Sequence, residues 1–446
     1  MFQQSGPMGG GSQMDAGGAM QGQQQGQGQV PATPDMKEMR SVVLTGFGNL
    51  SKVKVYKSPQ PMVGPGEVLI RVQACGMNFN DLLVRQGATD NLPNTPLILG
   101  YECAGYVEEL GEGAEGFPKG APVIALTRFG SMAEYVVAPV NRCYRMPQGM
   151  SFEDGAALLL NYVTAYLILF HVVSIKKDKI ALIHSAGGGV GCACAQLCNL
   201  LENVTLIGTA SKEKHTQLRK MGLYTYLFDR YQEDYVEEVK RLSPYGVDIV
   251  LDSLSGEDVA KGINLVKPMG HYVLYGSASS LVNDLPSQPA GGAAGGAAGA
   301  AASVTSQAKS SILGLSSPLA NFGYTKQITS TPLSKWLPTQ KVNQWWQVEK
   351  VNPIKLFDDN RSVGGFNLIN LLFDQGQHAL VQDVVKDLFK LYKEGKIKPV
   401  IDSTWAMEEV TDSMTRMQDH KNVGKVLLVV GQMPRNVAEQ NGPDLR

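Results

Sequence analysis

The chain has 446 residues, 43% of them hydrophobic and 18% charged, with a formal net charge of −1. That length holds two or three domains, and so even a charge balance argues against nucleic acid or an anionic membrane as the main partner. No run of eighteen consecutive residues is apolar, so no bilayer span is expected, and the first residues lack the basic-then-apolar pattern of a secretory signal.

Residues 1–36 are mostly Gln, Gly and Met, a composition that cannot offset its own ordering entropy, and are expected to form a disordered tail. From Met39 to about Tyr162 the pattern is of short alternating strands between glycine and proline turns. The clearest are Ser41–Thr45, Val53–Tyr56, Glu67–Ala74 and Ala133–Ala138. This predicts a β-rich, barrel-like first domain over residues 37–161.

The periodicity then changes to strand–helix alternation, and residues 162–375 read as a second domain. Strands are expected at Ile180–His184, Val204–Gly208, Tyr226–Phe228, Asp248–Asp252, Tyr272–Tyr275 and Val363–Asn367, with helices such as Lys212–Met221 and Tyr235–Arg241 between them. Such alternation implies a doubly wound parallel sheet in an α/β fold. Residues 281–341, centred on a Gly/Ala run, interrupt this pattern as a low-complexity surface insertion. The helix Leu380–Glu394 and a strand–helix–strand over Lys398–Val430 make up residues 376–431, which should return to the first domain. Residues 432–446 are expected to fray. The six cysteines make no disulfide framework; Cys192, Cys194 and Cys198 read as small buried thiols, and a reducing, cytoplasmic setting fits.

The chemistry concentrates where Ile180–His184 meets the segment Ala186-Gly187-Gly188-Gly189-Val190-Gly191 and opens into a helix. Gly188 and Gly191 leave the backbone free to approach a dinucleotide pyrophosphate, and the first-turn amides point at the anion. An acidic residue closing the second strand would select NAD by bonding its ribose 2′-hydroxyl. Here the turn reads Gly208-Thr209-Ala210-Ser211-Lys212-Glu213-Lys214, with no carboxylate at the turn itself. Ser211 with Lys212 or Lys214 suits the 2′-phosphate of NADP, and Arg230 is placed to reach the same pocket. Ser211 also reads as a helix N-cap with solvated lysines behind it, and the two roles coexist. Asn78 and Asp81 have a local reading, Asn78 closing a turn and Asp81 capping a helix from Leu82 to Gln86. His171, His184 and His271 read as packed or surface residues, and no general acid stands out.

These residues resemble the medium-chain dehydrogenase/reductase superfamily, quinone oxidoreductase (zeta-crystallin-like) subfamily. Its signature is matched by Asp178, Leu182, Ala186-Gly187-Gly188-Gly189, Gly191 and Gln196, and departs at Asn199. Within it the chain is similar to the synaptic vesicle membrane protein homologue branch. The residues that carry this are Leu44-Thr45-Gly46-Phe47-Gly48, Ala74-Cys75-Gly76-Met77-Asn78-Phe79, Asn161-Tyr162-Val163-Thr164-Ala165-Tyr166 and Asn203-Val204-Thr205. Further carriers are Gly246-Val247-Asp248-Ile249-Val250, the run Trp345 to Pro353, and Asn422-Val423-Gly424-Lys425-Val426.

The resemblance implies a GroES-like β-barrel catalytic domain beside a Rossmann domain, with NADP(H) in the cleft between them. Thr164, Tyr275-Gly276 and Gly365-Phe366 would line its nicotinamide half, Asn422 and Lys425 would approach from the returning segment, and Asn78 and Asp81 would face the substrate. Zinc dehydrogenases of the superfamily use a cysteine and a His-Glu pair. Cys75 and Glu102 occupy matching positions, but Tyr101 stands for the histidine, so no metal is expected. The implied chemistry is NADPH-dependent, zinc-independent hydride transfer to a quinone or an α,β-unsaturated carbonyl compound. Where that subfamily often has a tyrosine after Gly87, this chain has Ala88-Thr89, which bears on substrate preference. A homodimer through the edge strand Val363–Asn367 is also implied. The alternative is an NADP-binding protein acting mainly in peripheral membrane or partner association, for which Trp336, Trp345 and Trp346 beside the insertion are candidates.

Overall fold

A computed structural model describes residues 37–89, 91–256, 258–278, 281 and 351–435. The expected N-terminal tail, the body of the insertion with Trp336, Trp345 and Trp346, and residues 436–446 lie outside the described residues.

Six parallel strands form one sheet, in the order Tyr226–Asp229, Thr205–Ala210, Ile180–Ile183, Val247–Asp252, Val266–Leu274, Ser362–Gly365. The chain order reverses beside Ile180–Ile183, so the crevice at the carboxyl ends of the strands opens there. The three central strands have apolar side chains on both faces, which suits a sheet covered on both sides. One face packs against the helices Phe152–Tyr166, Gly189–Cys198 and His378–Lys393, and the other against Tyr235–Leu242 and Asp258–Leu265.

The expected fifth strand, Tyr272–Tyr275, is the second half of a longer one. The register slips between Val247 and Ile249, and Lys267 to Gly270 bulge out with Met269 at φ 64°. Pro268 and Gly270 hide that first half from any reading of alternation.

The β-rich unit is a seven-stranded sheet built from both parts of the chain. Glu67–Met77 pairs antiparallel with Glu102–Leu110 on one side and with Lys425–Val429 on the other. The C-terminal strand–helix–strand is Ile401–Trp405, Val410–Gln418 and Lys425–Val429, and it returns to the first domain as expected. A smaller sheet of Val53–Pro59, Glu38–Leu44 and Leu97–Ile98 closes the unit. Glu102–Leu110, Pro122–Leu126 and Cys143–Arg145 were not foreseen. Their buried apolar residues fall on both faces, so they do not alternate.

The helix Phe152–Tyr166 runs through position 161 without a break and continues into a π turn, Leu167–Val172. Tyr166 and Tyr392 donate hydrogen bonds across it to Asp387 and Asp154, at 2.8 and 2.6 Å. By length and composition Phe152–Val172 is apolar enough to cross a membrane, a span that the search for unbroken apolar runs missed. Most of it is buried in the protein, where a core helix has the same composition.

Candidate cofactor and substrate cleft

The crevice holds a cavity of about 330 Å³, reached by both parts of the chain. Its first wall is the glycine loop. Gly188 is the N-cap of the helix Gly189–Cys198, whose first-turn amides have no partner within the helix. The three key glycines serve different purposes. A Cβ on Gly191 would lie 2.5 Å from the Ser185 carbonyl oxygen and 2.8 Å from that of Ala186, and one on Gly189 would strike the Asn161 amide. Those two positions are set by packing. A Cβ on Gly188 would meet only Ser185, at 3.2 Å from its carbonyl oxygen. Gly187, Gly188, Gly189 and Gly191 all line the cavity, and of the three key glycines Gly188 is the one that packing does not fix, which suits the backbone to the approach of a pyrophosphate.

Beyond the loop lie Thr209, Ser211, Lys214, Arg230 and His420. Burial holds the Lys214 ammonium below the ordinary lysine value. Arg230 is tied to Asp258 at 3.5 Å and lies over the Tyr231 ring. Lys212 does not join them: it is exposed at the first position of its helix, outside the cavity lining. Ser211 is the N-cap, but its side chain makes no capping hydrogen bond. His420 and Thr209 were not foreseen as lining residues. His420 sits at φ 52° after a helix C-terminus and carries no motif. Thr209 is fixed by a 2.8 Å hydrogen bond to Nδ1 of the buried His184.

Thr164, Gly189, Val190, Tyr275, Gly276, Phe366, Asn422 and Lys425 all line the cavity, as expected, whereas Ala186 is buried behind the loop. The returning segment is bonded to the loop directly, Gly424 N–H donating to the Gly187 carbonyl at 2.9 Å.

At the floor, Lys425 and Glu102 form an ion pair, with side chains 3% and 0% exposed. Lys425 Nζ also donates to Asn78 Oδ1, Asn78 Nδ2 donates to Glu102 Oε1 at 3.1 Å, and Leu160 N–H donates to Glu102 Oε2 at 2.9 Å. Asn78 lines the cavity as expected. Asp81 does not: it is fully buried at the third position of the helix Phe79–Arg85, and its Oδ2 accepts the Asn78 N–H at 2.8 Å. The helix starts three residues earlier than expected, so Asn78 is the N-cap and Asp81 braces it from below.

Burial pushes the Asp81 carboxyl up to about 7, against the Asn78 N–H and the Lys425 charge, which pull it down. An unfolded aspartate titrates near 3.9. Between about pH 4 and 7 the folded state therefore holds a proton that the unfolded chain releases. This group's contribution to stability is full below about pH 4 and is lost as the pH rises towards 7. Asp81→Asn cannot ionise, and urea denaturation of that variant should show a flatter dependence on pH across the window. An unchanged slope would assign the titration to another group.

The residues at the zinc-ligand positions do not fit the metal. The Glu102 carboxylate is committed to Lys425, the Cys75 thiol is pushed up by burial and donates to the Leu428 carbonyl at 3.7 Å, and Tyr101 packs on Phe129 with ring centroids 5.4 Å apart. An ammonium group already neutralises the one carboxylate.

Family models for the alcohol dehydrogenase GroES-like domain and for zinc-binding dehydrogenases match residues 64–148, and 189–291 and 339–428, respectively. The chain is 44% identical over 400 residues to the human synaptic vesicle membrane protein VAT-1 homolog-like, covering 90% of this chain and 83% of that one. A crystal structure of the human protein of that name has a TM-score of 0.69 at 40% identity and covers 90% and 100% of the two chains. Human quinone oxidoreductase is 30% identical over 248 residues, 55% of this chain and 75% of that one. A mycobacterial protein crystallised with NADPH shares the fold, with a TM-score of 0.67 at 21% identity over 88% and 99% of the chains.

Proposed function

The chain belongs to the medium-chain dehydrogenase/reductase superfamily, among the VAT-1 homologues, and from that premise we propose that it is an NADPH-dependent reductase of quinones or α,β-unsaturated carbonyl compounds. One observation carries this reading: a single cleft joins a phosphate cradle at Gly188 and Lys214 to an apolar compartment floored by Asn78 and Lys425. NADPH, when bound, supplies the hydride. The chain's own part is to hold the dinucleotide by the amides after Gly188, to orient the substrate against Met77, Leu160 and Ile369, and to keep water out. An enone or quinone accepts hydride readily through its conjugation, so no Lewis acid is required. Oxidation of NADPH followed by stopped flow against a panel of quinones and enones tests the reading; no turnover with any of them would refute it.

Cofactor choice has its own test. Lys214→Ala removes a charge-assisted bond worth about 1.5–3 kcal/mol, so NADPH affinity should fall roughly tenfold or more with little change for NADH. Lys212→Ala, outside the cleft, should alter neither. Equal losses for both cofactors on removing Lys214 would mean that it does not read the 2′-phosphate.

A second reading is favoured by the names of the relatives, which are called synaptic vesicle membrane proteins. On it, the protein associates peripherally with vesicles from the cytoplasmic side. Flotation of the purified protein with liposomes tests this, and protein that stays at the bottom of the gradient would count against it. A homodimer through the sheet edge is a separate proposal; the edge strand is Ser362–Gly365 rather than the expected Val363–Asn367, and sedimentation equilibrium checks the pairing.

A further inference from the structure

We propose that the Lys425 ammonium is the group that receives the negative charge developing on the substrate oxygen, and that it delivers the proton completing the reduction. The inference rests on the reductase reading above and adds the acid to it. An ammonium has three N–H donors. Two of those on Lys425 are spent, on Glu102 Oε1 and Asn78 Oδ1. The side chain is 3% exposed yet lines the cleft, so the remaining donor has only the cleft to address.

The surroundings fix where that donor points. Glu102 lies behind the ammonium and is itself held by Leu160 N–H and Asn78 Nδ2. Gly76 leaves room for the lysine, since a Cβ there would lie 2.7 Å from Lys425 Cε and 2.8 Å from Glu102 Oε1. In front are Met77, Leu83, Leu160 and Ile369, an apolar wall against which a charge-assisted hydrogen bond is strong. Such a preorganised cation acts where charge develops rather than on the neutral ground state.

The step balances. Hydride adds to the β-carbon of an enone, the alkene pair moves to form a new double bond to the carbonyl carbon, and the carbonyl pair moves to oxygen. The Lys425 N–H bond then breaks with its pair left on nitrogen, and the proton forms O–H. The neutral amine regains a proton from water. For a quinone the same proton completes the first hydroxyl.

A phenol tests this without turnover, because its ionised form imitates the oxyanion and is distinguished from the neutral form by its absorption spectrum. The protein without cofactor is titrated with 4-nitrophenol over a range of pH. Wild type should favour the phenolate over the phenol by about tenfold or more. Lys425→Met/Glu102→Gln, which removes both charges together, and Lys425→Gln, which keeps hydrogen bonds without the charge, should still bind the neutral phenol and lose that preference. Two variants are used because their folding risks differ, and circular dichroism shows which is folded. No preference in wild type, or a preference kept in either folded variant, would overturn the proposal. The outcome is separable from the reductase reading: a wild type that turns over no quinone and no enone yet selects the phenolate would refute that reading and keep the oxyanion site. A Lys425→Gln enzyme reducing enones at the wild-type rate would refute the acid and keep the reductase.

Discussion

Glu102→Ala is expected to cost about 3–5 kcal/mol of folding stability, the loss that follows when one member of a buried ion pair is removed. The carboxylate is 0% exposed and accepts from Lys425, Asn78 and Leu160, so the substitution leaves a buried cation and two buried N–H donors without their acceptor. Glu102 does not itself line the cleft, so water entering there meets Lys425 and Asn78 but not the vacated acceptor position. The double variant Glu102→Ala/Lys425→Met should recover most of the loss, since an apolar pair in the same space carries no desolvation penalty. Urea denaturation of the two variants, compared at equal slope, decides it. A loss of about 1 kcal/mol or less for the single variant, the range of surface pairs, would mean that solvent reaches the pair.

The glycine loop should separate into folding and binding positions when alanine is introduced. Gly191→Ala drives a methyl group against two carbonyl oxygens that belong to the strand–helix turn, and relief requires the helix to lift from the sheet. That kind of overpacking costs about 1–3 kcal/mol, with NADPH binding lost along with the local structure. Gly188→Ala meets only Ser185, so the thermal midpoint should stay close to wild type. Its methyl group occupies the space through which the backbone would approach the pyrophosphate, and NADPH affinity should fall roughly tenfold or more. Thermal unfolding alongside fluorescence titration with NADPH distinguishes the two. Equal destabilisation by both variants would show that Gly188 also serves packing.

The parallel sheet was legible because its strands are apolar runs bounded by turns, and the order of elements follows from the alternation. What escaped the sequence escaped for physical reasons. Strands such as Glu102–Leu110 bury both faces and so show no period of two. Phe152–Val172 is broken by Glu153, Asp154 and Asn161, so it never reads as an unbroken apolar run. In the site, the glycine loop and the turn after the second strand were legible locally, and Gly188 and Lys214 line the cleft; Asn78 and Asn422 line it too, but only the resemblance pointed to them. Pairings did not transfer. Nothing near Glu102 announces that its counter-ion is Lys425, because that meeting is made by sheet pairing. The resemblance put Asp81 in the cleft, but the helix begins at Phe79, three residues before the expected start, and Asp81 is buried where it braces Asn78.

That pairing has a consequence for how the protein is made. Lys425 and Asn78 lie 347 positions apart, and the end of the strand Glu67–Met77 nearest the cleft has the strand Lys425–Val429 as its neighbour. A chain emerging from the ribosome therefore presents an open sheet edge, with a carboxylate destined for burial and no cation to meet it, until Lys425–Val429 has been synthesised. The Rossmann unit, assembled from consecutive segments, can fold during that wait; the barrel is begun before it and completed after it. Messages truncated before codon 425 should consequently yield chains whose nucleotide-binding half is intact while the barrel half is left as an unpaired edge, the form most prone to wrong partners and to capture by chaperones.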